Sequence, residues 1–326
     1  MIIVKSLISW VGGKSKLMWI INLFAPPVYE RSIDVFGGSG TVTLNLDCPS
    51  STLKVYNDFN SNLVNLMRCA RNKPLELIKE IGFLTLNARD DFEIYKKFIE
   101  KGEFNNDDLK KEMQLTEIML SPPQSDEAKR ILMKQAEKCD VKKASVYYKL
   151  LRYSFNANGE TFGGKKCDVR RFFTDIWNFS KRFAEVTIEN KSYEALIKQY
   201  DRPNAFIYCD PPYFDAEDFY EVCFSKADHI NLREILSKAQ GYVMVSYNNC
   251  PEIVDLYKDF YIFLTTRPNS MSRKEGEMYE ELIITNYDPR LFAKHNSNQL
   301  NLFSFEQPEG EYILIHEPKQ ALKKAV

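Results

Sequence analysis

The chain is short of histidine, of paired cysteine and of any excess of charge. Its 326 residues hold three histidines, His229, His295 and His316, and seven cysteines with no Cys-x-x-Cys pair. No zinc pattern can be assembled from them, so no metal is expected. The odd, scattered cysteines read instead as buried reduced thiols of an intracellular protein. No apolar run approaches membrane-spanning length: Leu17 to Phe24 is broken by Asn22 and stopped by Pro26-Pro27. The first residues, Met1-Ile2-Ile3-Val4-Lys5, lack the charged-then-apolar order of a secretory signal, which favours a soluble, cytoplasmic protein. Forty-four Lys and Arg balance 45 Asp and Glu, arguing against a protein that coats nucleic acid through bulk positive charge. Low-complexity tracts and internal repeats are absent, and 44% hydrophobic with 27% charged residues excludes disorder.

What is present falls into three zones. Residues 1–60 read as α/β: a helix after Lys14, an apolar strand Ser32 to Phe36, a glycine turn, and a second strand Leu53 to Tyr56. Residues 61–184 lose the strand signal and show helical spacing, as in Leu63/Leu66/Met67 and Val146/Leu150/Leu151, punctuated by Pro74, Gly82, Gly102 and Pro122-Pro123. From 185 the α/β pattern returns with the strand Ala205 to Cys209, a helix His229 to Ala239 and the strand Tyr242 to Ser246. Two later runs, Tyr261 to Thr265 and Glu281 to Asn286, suggest a hairpin at the sheet edge. Short apolar strands alternating with helices predict a mainly parallel, doubly wound sheet interrupted by a helical insertion. Catalytic-type segments 1–60 and 185–290 would then form one discontinuous domain, with 291–326 as a tail.

Two motifs carry chemistry. The turn Asp34-Val35-Phe36-Gly37-Gly38-Ser39-Gly40 follows a strand, where glycines let the backbone approach a ligand, and Asp58 ends the next strand, where an acid commonly binds ribose. A plain structural turn is the competing reading. Gly12-Gly13-Lys14-Ser15 is not a P-loop, because Ile8 stands where that motif needs glycine. The second motif, Asp210-Pro211-Pro212-Tyr213, ends an apolar strand, where open α/β sheets place ligands. It suits methyl transfer to an amine on an aromatic base, a poor nucleophile with a delocalised lone pair. Asp210 and the carbonyl of Pro211 can accept its two N–H groups, two prolines keep that backbone rigid, and Tyr213 can stack on an extruded base.

In this order the motifs resemble the DNA N6-adenine methyltransferases of the Dam type (D12 class). Trp10-Val11-Gly12-Gly13-Lys14 looks like that family's N-terminal S-adenosylmethionine motif, and Phe36 to Gly40 like its glycine motif. Asn57-Asp58 looks like its ribose-binding acid, and Asp210 to Tyr213 like its catalytic motif. Val245-Ser246-Tyr247-Asn248 and Glu281 to Tyr287 resemble its later strands. The resemblance implies a Rossmann-like S-adenosylmethionine-dependent methyltransferase sheet with an inserted helical target-recognition domain. It implies a flipped adenine in double-stranded DNA as substrate, a bacterial or phage-infected cell as setting, and Asp210, Pro211, Pro212 and Tyr213 as catalytic residues. Candidate donor contacts are Trp10, Lys14, Asp34, Phe36, Gly38, Gly40, Asp58 and Asp210. The alternatives are RNA adenine or a protein amide as acceptor, or a non-catalytic DNA-binding protein that keeps the fold.

The overall charge balance conceals a local excess. Between Ala128 and Phe183 stand 14 basic residues and five acidic ones, interleaved with aromatics, a pattern that suits DNA phosphate contact. Candidate DNA contacts there are Arg152, Asn156, Asn158, Lys165, Lys166, Arg170 and Arg171, with Arg273 in the polar run Arg267 to Glu277. The stretch Arg152 to Gly159 departs from the arginine-rich pattern of GATC-methylating relatives, so that recognition sequence is not implied. In the tail, Gln299-Leu300-Asn301-Leu302-Phe303 resembles the peptide that docks bacterial proteins on the sliding clamp, through Gln299, Leu300, Leu302 and Phe303. The other reading is that these apolar residues pack back on the domain.

Overall fold

A computed structural model describes residues 4–10, 12–82, 89–101, 107–154, 159, 161–163, 169–214, 224–268, 278–293, 310–319 and 322. Asn156, Asn158, Lys165, Lys166, Arg273, Gln299, Leu300, Leu302 and Phe303 lie outside the described residues. The chain divides into two compact units, one of residues 1–6, 12–60 and 185–326, the other of residues 7–11 and 61–184.

The first unit is built on one sheet. A 3-10 turn at Lys14–Lys16 leads into α1 (Met18–Phe24), β1 (Arg31–Asp34), α2 (Thr41–Asn45) and β2 (Leu53–Asn57). After the second unit come β3 (Thr187–Glu189), α10 (Tyr193–Tyr200), β4 (Ala205–Cys209), α11 (Lys226–Ser237), β5 (Tyr242–Asn248) and α12 (Pro251–Leu256). The strands β6 (Tyr261–Pro268), β7 (Met278–Thr285) and β8 (Tyr312–His316) complete it. The eight strands lie in the order β3-β2-β1-β4-β5-β7-β6-β8. From β3 to β5 every pairing is parallel, while β7 runs antiparallel to both β5 and β6.

Alternation along the central strands decides this layering. Ile207 and Cys209 of β4, with Val243 and Val245 of β5, join one buried cluster with Leu196, Leu232 and Ile253 from α10, α11 and α12. Phe206, Tyr208 and Met244 point to the opposite face, against Ile20, Ile21 and Phe24 of α1. A period of two on a doubly covered sheet makes both faces apolar, which is why these strands read as continuous hydrophobic runs. Truncating Leu232 or Phe206 to alanine would cost about 2–5 kcal/mol.

Several expectations are corrected in detail. The predicted hairpin does form, but it is not the sheet edge: β7 slots between β5 and β6, and β8 takes the edge. Its alternating burial, with Ile313 63% exposed, is that of a strand covered on one side. Tyr312 to His316 of the tail are therefore part of the sheet. The helix expected from His229 begins at Lys226, because Ser225 and Asp228 form a capping box there. The strand β3 and helix α10 carried too short a pattern to be read. Among the described cysteines, Cys69 and Cys209 are buried, whereas Cys48, Cys139 and Cys250 are only partly covered.

The second unit is helical: α3 (Ser61–Asn72), α4 (Pro74–Ile81), α5 (Arg89–Lys101), α6 (Asp107–Met119), α7 (Pro122–Lys138), α8 (Val141–Tyr153) and α9 (Val169–Arg182). Prolines open α4 and α7, where the missing N–H costs nothing. Helix α8 packs on α3, α4 and α5. It is anchored at its start by Asp140, which caps Lys143 N at 2.8 Å and is itself held by Asn65 through both amide atoms.

Candidate active site

The strand order reverses between β1 and β4, and the carboxyl ends of strands at such a point are where open α/β sheets place their ligands. Asp34 ends β1, and Asp210 follows the last residue of β4. The glycine turn crosses between β1 and α2. Gly37 is glycine for an internal reason: a Cβ there would stand 2.3 Å from the Tyr56 ring and 2.9 Å from the Asn57 carbonyl. Gly38 and Gly40 hold left-handed backbone, at φ of 50° and 73°, that favours glycine. The Asp58 carboxylate accepts from Gly38 N at 2.9 Å and Asn60 N at 2.8 Å, tying the end of β2 to the turn.

Asp210 meets Lys14 directly. The ammonium is 3% exposed and lies 2.7 Å from Asp210 Oδ1. It also donates to the Tyr213 hydroxyl and to the Gly12 carbonyl, each at 2.9 Å, so three acceptors surround it. Ser246 on β5 donates to the same Oδ1 at 3.0 Å, and the Tyr208 hydroxyl, 2.8 Å behind, backs Ser246. Burial pushes the Asp210 carboxyl above the usual range, and Lys14 pulls it back. Burial pulls the Lys14 ammonium down, but the carboxylates of Asp210 and Glu281 outweigh it and hold its pKa above that of an ordinary lysine. The result is a charged pair within a largely dry site, with both contacts to Asp210 on one oxygen.

Other expected residues have different surroundings. Asp34 is 4% exposed and accepts from the Thr43 backbone N (3.2 Å) and the Thr43 hydroxyl (2.7 Å), which ties β1 to α2. Burial raises its carboxyl to about 7 against the opposing pull of the Thr43 bonds. Phe36 packs against Tyr193 and Phe224. Tyr213 is buried, with its hydroxyl bonded to Lys14 and Glu281 and its ring stacked on Tyr279. Trp10, partly buried, belongs to the segment 7–11 of the second unit.

Of the candidate DNA contacts, Arg170 and Arg171 are exposed on α9. Arg152 lies 3.0 Å from Asp175 and 4.7 Å from the Phe172 ring centroid, within its own unit. Arg267, at the start of the polar run, pairs with Glu281 at 2.7 Å. Ser246, Tyr208, Glu281 and Tyr279 were not singled out by sequence. Glu281 left one signal, the second acid of Glu280-Glu281 directly before the apolar Leu282-Ile283-Ile284 of β7.

A parallel sheet with β7 inserted antiparallel between β5 and β6, and an acid–proline–proline–tyrosine loop where the strand order reverses, define a Rossmann-like methyltransferase fold. A family model of D12 class N6 adenine-specific DNA methyltransferases matches residues 10–271, and the chain belongs to that family. The protein is an adenine-specific DNA methyltransferase. It is similar to the Type II methyltransferase M1.LlaDCHI of Lactococcus lactis subsp. cremoris, 25% identical over 289 residues covering 85% of this chain and 94% of that one. Among the described residues no His, Cys, Asp and Glu cluster suited to a metal occurs, and no helix is long and apolar enough to cross a membrane.

Proposed function

We propose that the protein transfers a methyl group from S-adenosylmethionine to the exocyclic N6 amine of an adenine turned out of double-stranded DNA, with Asp210 at the centre. One observation carries this reading: Lys14 and Ser246 both hold Asp210 by Oδ1, which leaves Oδ2 as the oxygen for the substrate amine. Asp210 Oδ2 accepts one N–H of that amine and the carbonyl of Pro211 the other, favouring a pyramidal nitrogen whose lone pair is available. Its raised pKa suits Asp210 to take up the proton that the methylated nitrogen sheds. Lys14 keeps the carboxylate oriented and ionised until then.

The residues present fit the donor by their chemistry. S-adenosylmethionine supplies a methyl group on a positively charged sulfur, carried with a zwitterionic amino-acid end and ribose hydroxyls. Asp58, beside a turn of left-handed glycines, is an acceptor for hydroxyls, and Gly38 and Gly40 leave the turn without side chains. Lys14 and Asp210 offer one charge of each sign. Trp10 and Phe36 are further candidates for this role, whereas Asp34 supports the turn from below. The helical unit supplies recognition of the DNA target, with the exposed Arg170 and Arg171 as phosphate contacts.

Transfer of tritiated methyl from S-adenosylmethionine to unmethylated genomic DNA tests the reading. The wild type labels adenine and Asp210→Ala loses the activity. An inert wild type, or full activity in the variant, refutes it.

A further inference from the structure

Three side chains outside the tetrapeptide close around Tyr213. Glu281 on β7 is fully buried, and its two oxygens lie 2.7 and 2.8 Å from the Tyr213 hydroxyl, which donates to them. Arg267 on β6 reaches Glu281 through Nε at 2.7 Å. The same guanidinium lies 4.9 Å from the ring centroid of Tyr279, and that ring stacks on Tyr213 at 6.4 Å with planes 19° apart. Register explains the grouping. Arg267 pairs with Tyr279 across the hairpin, and Glu281, two residues beyond Tyr279, shares its face.

The hairpin's polar face therefore grips Tyr213 at two points, hydroxyl and ring. Packing alone does not call for this. A buried ion pair is weak evidence for stability, because apolar residues of like volume fill the same space at no loss. Here the pair instead extends the bonded chain from Arg267 through Glu281, Tyr213 and Lys14 to Asp210. We infer that Glu281, Arg267 and Tyr279 are positioning residues for the methyl transfer: they fix the hydroxyl and ring plane of Tyr213, and so the surface against which the target base is held. None of them touches a reacting atom. The inference rests on the reading that the tetrapeptide receives the base.

A mutant cycle tests it. Glu281→Gln alone leaves the partly buried Arg267 without its counter-charge and risks failing to fold. The paired replacement Arg267→Met with Glu281→Met removes both charges and keeps the volume, yet cannot hold the hydroxyl. Steady-state methyl transfer to unmethylated genomic DNA is measured for wild type, the paired replacement, Tyr213→Phe and the combination, with thermal unfolding as the control for folding. The paired replacement should fold and lower kcat about tenfold or more while moving the donor KM less than about threefold, and the loss should vanish in the Tyr213→Phe background. Wild-type kcat in the paired replacement, or losses that multiply in the combination, overturns the inference. Loss of folding in the paired replacement does so too, since the pair is then structural. An inert wild type or a fully active Asp210→Ala overturns the underlying reading instead, so the two failures are told apart.

Discussion

Replacing Lys14 by methionine isolates the central ion pair. At 2.7 Å the gross attraction between Lys14 and Asp210 is about 6 kcal/mol for an effective dielectric near 20. The protein does not lose that much, because Asp210 can escape its unpaired state by taking a proton. Protonating an aspartate of ordinary pKa 3.8 costs at most about 4 kcal/mol at pH 7 and about 2 kcal/mol at pH 5. Protonation, the smaller cost, sets the size of the effect. A pH-independent part, about 1 kcal/mol, comes from the lost bonds to Tyr213 and Gly12. In the variant the folded pKa of Asp210 stands far above its unfolded value, so the folded state binds the extra proton and stability falls as pH rises. The deficit against wild type should thus shrink from pH 7 to pH 5, as read by urea unfolding of both proteins. Methyl transfer should be nearly absent at pH 7, where the protonated carboxyl is a poor acceptor, and recover partly towards pH 9. A deficit equal at pH 5 and pH 7 would refute the coupling.

Other positions give separate tests. Asp34, raised to about 7 from 3.8, favours the folded state fully below about pH 4, and that contribution, about 4 kcal/mol, is lost as pH climbs through 7. Asp34→Asn keeps the acceptor for Thr43, so it should unfold at higher temperature than wild type at pH 8 and lose that advantage at pH 4; a difference independent of pH contradicts it. Gly37→Ala drives a Cβ into Tyr56 and should cost about 1–3 kcal/mol in thermal unfolding, while an unchanged melting temperature would show that the turn can move. Neutralising Lys165, Lys166, Arg170 and Arg171 should lower the slope of log affinity for DNA against log salt by about 0.9 for each DNA phosphate that is no longer neutralised. An unchanged slope makes that segment a solvated surface.

Much of the site was legible because its signals are local. Asp210-Pro211-Pro212-Tyr213 needs only its own strand and two rigid prolines to be recognised, and Gly38 and Gly40 mark left-handed backbone by residue type alone. The central strands could be read because a doubly covered sheet demands apolar residues on both faces. The packing of Asp34 and of Gly37 was not legible in the sequence. Each meets a partner, Thr43 or Tyr56, whose distance the sequence does not state.

The sequence by itself determined the methyltransferase motifs, their order, the α/β pattern and the helical stretch between its halves. Those properties depend on residue type and short-range periodicity, which a chain carries before it folds. Tertiary structure decided which charges meet. Lys14 reaches Tyr213 across 199 positions, and Tyr213 reaches Glu281 across 68, the latter because β7 inserts between β5 and β6. Strand order and register follow from packing two apolar faces at once, a collective outcome that no single segment specifies. They made Arg267 the partner of a buried carboxylate, Glu281. They also placed the Lys14 and Ser246 contacts of Asp210 on the same oxygen, Oδ1.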